Sequence, residues 1–199
     1  MIPDPLPLAI HDHAADNLRF IRDTIERTGS FTSIPGRGGV AIGLTAIITT
    51  FVASGPARAH PALWLTIWLA EAMVASVIAL VTVRMKARAA GLSLTARPAR
   101  RFFLSYSAAP FAAAVLTVAE GMHGAYWLMP ATWLLAYGAG FVSSGSFSIP
   151  LIHRLGFAYI ALGVVAAFVA FPVGNIILGI GFGLLHVVAG SFIWRRYGG

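Results

Sequence analysis

After its first 37 residues the chain alternates between six long apolar stretches and short polar or glycine-rich breaks. The stretches cover about 38–54, 63–83, 102–119, 125–142, 155–171 and 173–194. At about 1.5 Å of helix rise per residue each is long enough, or nearly so, to cross about 30 Å of hydrocarbon, the first and fifth being the shortest. A segment in hydrocarbon has to satisfy its own backbone hydrogen bonds, so the expected fold is all-α, a polytopic transmembrane helical bundle of six spans. The narrowest breaks are Glu120-Gly121-Met122-His123-Gly124 and Phe171-Pro172. Glycine and proline are what would end a helix there.

Upstream, Ala14, Leu18, Ile21 and Ile25 recur at i, i+4, i+7 and i+11, while Asp16, Arg19, Asp23 and Arg27 occupy the other side. That spacing predicts an amphipathic surface helix from about Asp12 to Arg27, with Gly29 as its stop. Phe31 to Gly39 contains Pro35, Gly36, Gly38 and Gly39 and is expected to form the turn into the first span. The chain thus divides into an amphipathic segment and turn, 1–37, and a six-span domain, 38–199.

Charge orients the bundle. Threading the spans alternately through a bilayer places thirteen of the fourteen Lys and Arg on one side, with only Arg58 opposite. Short loops retain Lys and Arg on the cytoplasmic side, so both termini and the basic loop 84–101 are expected to be cytoplasmic. Arg84, Lys86, Arg88, Arg97, Arg100 and Arg101 in that loop have no acid among them. They are expected to meet anionic lipid headgroups or a docking partner. Trp64, Tyr126 and Trp127 are expected at headgroup depth on the outer side, and Phe102, Phe103 and Trp194 on the inner.

Composition agrees with a membrane protein and narrows the chemistry. The 199 residues are 58% hydrophobic and only 11% charged, against about 25% charged in a soluble domain. The net charge of +7 is explained by loops facing headgroups, and nucleic acid is not an expected partner. There is no cysteine, which removes disulfides, thiolate metal sites and cysteine nucleophiles from any mechanism. The N-terminus lacks a basic stretch followed by an apolar one, so a cleaved signal peptide is not expected.

Two ionisable side chains fall well inside spans. Glu71 is the single charge between Leu63 and Val83. A carboxyl at that depth costs a few kcal/mol, so it is expected to face the bundle interior, protonated or paired, and to mark function. A structural alternative is one interhelical hydrogen bond to Thr49, Ser107 or Tyr137. His186 is the second. It could relay to Glu71, but the two sit at different depths, and a neutral histidine bonded to a neighbouring helix is the plainer account.

Other patterns carry less. His60, Glu120 and His123, or His11, His13 and Asp16, could be gathered as metal ligands, yet no spacing fixes a coordination geometry, and no metal or cofactor is expected. Gly179 and Gly183 form a GxxxG step that predicts close helix packing. Those glycines follow no strand, so they are not read as a phosphate loop. Pro110 and Pro130 are expected inside the third and fourth spans as bends. Gly38-Gly39-Val40-Ala41-Ile42-Gly43 resembles Gly174-Asn175-Ile176-Ile177-Leu178-Gly179, which is read as shared small-residue composition, since a 3+3 repeat would match the first span to the fourth.

The stretch His11-Asp12-His13-Ala14-Ala15-Asp16-Asn17-Leu18-Arg19-Phe20-Ile21-Arg22, followed by Glu26-Arg27-Thr28-Gly29-Ser30-Phe31-Thr32 and Pro35-Gly36-Arg37-Gly38-Gly39, resembles the opening of a family of uncharacterised six-span bacterial inner-membrane proteins. The resemblance covers about 40 residues and implies a location but no activity. Taken together, the sequence leads first to a subunit or anchor of a larger membrane assembly, through a protein partner or a homo-oligomer, not an enzyme. The alternative is a proton- or cation-coupled small transporter or channel using Glu71.

Overall fold

The computed structural model describes residues 29–198, so the amphipathic helix expected over about 12–27 lies outside the described residues. The rest is helical, as α1 (Gly36–Ala53), α2 (Pro61–Ala89), α3 (Arg97–Met122), α4 (Met129–Gly145), α5 (Pro150–Ala167) and α6 (Phe171–Tyr197). All but α4 are long and apolar enough to cross a membrane; α4 has 17 residues and follows a 3₁₀ turn, Tyr126–Leu128. Five of these helices carry proline in the first turn, where its fixed φ suits a helix start and its missing N–H has no partner to lose. Pro130 is one of these, so it starts α4 and does not bend it; Pro110 does lie inside α3.

Helices outrun the apolar stretches. Hydropathy marks hydrocarbon, whereas hydrogen bonding carries a helix beyond it into headgroups. Only 90–96 remains as loop in the basic segment 84–101: Arg84, Lys86 and Arg88 ride on the end of α2, and Arg97, Arg100 and Arg101 on the start of α3. Likewise α1 begins at Gly36, inside the expected turn, after an extended run in which Phe31 N–H donates to the Phe147 carbonyl at 2.7 Å and Ser148 Oγ donates to the Phe31 carbonyl at 2.7 Å.

Two helix pairs close by glycine contact. A Cβ on Gly43 would stand 2.6 Å from the Gly183 carbonyl oxygen, and one on Gly183 2.6 Å from Ile47, so α1 and α6 approach as closely as backbones allow. Gly138 on α4 and Gly156 on α5 meet the same way, each 2.7–2.8 Å from the other's carbonyl when given a Cβ. Of the glycines in the two similar stretches, Gly39, Gly43 and Gly179 lie in this α1–α6 contact, whereas Gly38 faces Thr82 of α2 and Gly174 faces Pro130 of α4. α2 packs on α1 and α3 on α4, but α2 and α3, neighbours in sequence, barely touch. That gap positions the site.

The outer faces carry large exposed apolar residues such as Phe51, Met73 and Phe111, as a lipid-facing surface does. At one end of the bundle Lys86 Nζ donates to the Ile34 carbonyl at 2.9 Å and the Gly198 carbonyl at 2.8 Å, and the Arg37 guanidinium lies 4.7 Å from the Trp194 ring centre. Lys86 thus ties the run before α1 to the residue after α6, besides belonging to the basic segment. Trp64 departs from expectation. It is fully buried, stacked on Trp133 at 5.4 Å, and its indole serves the interior instead of a headgroup layer.

Candidate functional site

Ala72, Ala75 and Ala79 recur along α2, and Ala113 and Ala114 face them from α3, one turn beyond Pro110. Short side chains on both walls leave the space between the helices unfilled, producing a cleft of about 720 Å³ floored by α1, α4 and α6. Its polar groups are few and come from several sides: Glu71, Ser76, Tyr106, Thr117, Tyr137, His186 and, at the far end, Arg84. A mostly apolar cavity of a few hundred Å³ with a handful of converging polar groups is the usual form of a ligand site.

Glu71 is buried in the wall of this cleft, and its carboxyl is held from α1. Thr45 Oγ1 lies 2.8 Å from Oε1 and Thr49 Oγ1 donates to Oε2 at 3.2 Å. Thr49 is one of the partners expected from the sequence; Thr45, one turn away on the same face, is an addition. Thr45 Oγ1 also lies 2.9 Å from the Ile42 carbonyl of its own helix. A hydroxyl has one proton and two lone pairs. With its proton on Oε1 it serves a carboxylate; with its proton on Ile42 it can accept from a carboxylic acid. The same geometry therefore holds Glu71 in either protonation state.

His186 does not pair with Glu71. Its Nε2 lies 2.9 Å from the Tyr137 hydroxyl and its Nδ1 2.7 Å from the Tyr159 hydroxyl, which itself donates to the Gly181 carbonyl at 3.1 Å. A neutral ring protonated on Nδ1 satisfies all three: Nδ1–H donates to Tyr159, and Nε2 accepts from Tyr137. The local cause is the backbone. Gly179–Leu185 is a π-helical stretch within α6, rich in glycine, and its altered hydrogen-bond ladder turns the Gly181 carbonyl toward Tyr159 just before His186.

A second polar knot lies beside the cleft. Asn175 is buried at 1% exposure; its Oδ1 accepts from Trp64 Nε1 at 2.8 Å and Trp68 Nε1 at 2.9 Å, and its Nδ2 donates to the Thr50 carbonyl at 3.1 Å. One side chain thereby joins α1, α2 and α6. Sequence reasoning passed over it, although it is the one carboxamide inside any apolar stretch. Tyr106 and Tyr159 were also absent from the expected site, and Tyr137 entered it only as a partner for Glu71, because a tyrosine in an apolar run reads as core.

Among the described residues no group of three metal-ligating side chains converges. Glu120 instead accepts from the Thr132 hydroxyl, and His123 Nδ1 meets the Ala119 carbonyl of its own turn. His11, His13 and Asp16 lie outside the described residues. Of the other expected bond partners of Glu71, Tyr137 is taken by His186, and Ser107 donates to the Leu104 carbonyl at 3.2 Å. Gly179 and Gly183 are packing residues, seated on Thr50 and Ile47. No protein-family model, no curated protein and no solved structure matches the chain.

Proposed function

We propose that the chain is a six-span protein of a bacterial inner membrane, with both termini cytoplasmic, from an uncharacterised family of such proteins. Its sixth span would be α4, and the thirteen-to-one partition of Lys and Arg supports the orientation. Its function is that of a small proton- or cation-coupled transporter or channel in which Glu71 is the coupling group. One observation carries this reading: Glu71 lines a cleft, with Thr45 placed to bond either its charged or its protonated form. A carboxyl kept only for structure needs one partner in one state; this one has a site suited to two. His186, with both ring nitrogens occupied by tyrosine hydroxyls, shapes the cleft floor.

The test is reconstitution into liposomes carrying an internal pH dye, with a potassium diffusion potential as driving force. Wild type is expected to acidify or alkalinise the lumen faster than empty liposomes, and Glu71→Gln, which keeps the side chain's size, to fall to the empty-liposome rate while remaining folded. Flux equal in both proteins would sink the coupling role. Absence of flux together with stoichiometric co-purification of another membrane protein would return the subunit or anchor reading to first place.

A further inference from the structure

The cleft has a shape and a charge gradient that select among ligands. It runs along α2 from Trp68 to Arg84, sixteen residues or about 24 Å of helix. Its walls over that length are mostly alanine, leucine, valine and aromatic rings, with Ser76 and Thr117 among them, and it opens sideways between α2 and α3, toward lipid, because those helices do not pack on each other. Arg84 lines the end nearest the 90–96 loop. Arg88 follows Arg84 by about one turn on α2, Arg97, Arg100 and Arg101 lie in the first turns of α3, and no acidic residue occurs between Glu71 and Glu120. A long apolar trough with a lateral opening and a cationic end is complementary to one kind of molecule.

We infer that the cleft binds an anionic phospholipid of the surrounding bilayer, one acyl chain lying along Ala72, Ala75 and Ala79 and the headgroup phosphate on Arg84. The inference rests on the reading that this cleft is the working site, and names its ligand class. Lateral entry suits a lipid, which never leaves the membrane plane, better than a water-borne solute. Guanidinium groups suit phosphate, which they can meet through two parallel hydrogen bonds.

Native mass spectrometry of the protein released from nanodiscs of equimolar phosphatidylglycerol and phosphatidylethanolamine tests this. Wild type is expected to retain phosphatidylglycerol preferentially. Arg84→Gln, at an exposed position that tolerates exchange, is expected to lose about fivefold of that preference, the effect of removing one basic residue at a lipid surface. Arg154→Gln, a basic residue on another helix, is expected to keep it. Ala79→Trp, which fills the trough, is expected to lose retention of both lipids at an unchanged melting temperature. Equal lipid content in wild type and a folded Ala79→Trp, or an undiminished preference in Arg84→Gln, overturns the inference. The readout is bound mass, so failure of proton flux leaves it standing, and Glu71-dependent flux does not rescue it.

Discussion

Asn175 shows how a single side chain can decide which faces meet. Its buried carboxamide holds two indole donors and one backbone carbonyl. Asn175→Leu would leave Trp64 and Trp68 with unpaired N–H groups, and a loss of about 1–3 kcal/mol is expected, since buried orphan donors are costly but membrane hydrogen bonds average less than soluble ones. Asn175→Asp keeps the acceptor and should fall between. Thermal unfolding in mild detergent measures both; equal stability of Asn175→Leu and wild type would show that the knot is incidental. Glu71 and His186 could be found in the sequence because charge inside an apolar run is conspicuous. Their partners were legible only in part: Thr49 was among those expected for Glu71, whereas Thr45 and Tyr159, and Tyr137 as a partner of His186, meet them only through helix rotation, which one helix's sequence does not state.

Glycine contact sets the helix pairs, and it separates glycines that matter from those that do not. A leucine at Gly183 would drive into Ile47 and the backbone of α1, so Gly183→Leu is expected to cost at least the 1–3 kcal/mol or so typical of overpacking. Gly55 has nothing within 4 Å of an added Cβ, and Gly55→Ala should be neutral or stabilising by up to about 1 kcal/mol. The pair of variants is read by melting temperature. Comparable losses in both would mean that α1 and α6 are not in contact. The GxxxG step announced such packing but not its partner. Nor did the pattern announce the π-helical turn of Gly179–Leu185, whose apolar residues read equally as α-helix. Helix ends were misplaced near Arg84–Arg101 and at Gly36 for one reason: hydropathy reports the solvent around a helix, not its hydrogen bonds.

For the whole molecule, the all-helical bundle was legible from hydropathy alone, whereas the cleft was not, because a cavity is defined by two helices failing to meet. The alternation of spans makes a clean prediction, since the chain has no cysteine of its own. In intact cells a membrane-impermeant maleimide is expected to label Gly55→Cys and His123→Cys but not Ser93→Cys; labelling of Ser93→Cys would reverse or break the proposed six-span order. The central claim, that Glu71 exchanges a proton through the cleft, is tested most directly by infrared difference spectroscopy in reconstituted membranes across a pH series. A carboxyl band that disappears in Glu71→Gln should rise and fall with pH and shift promptly in heavy water. A Glu71 band that stays fixed over the whole series and resists deuterium exchange would contradict it, leaving the carboxyl as a sealed structural bond between α1 and α2.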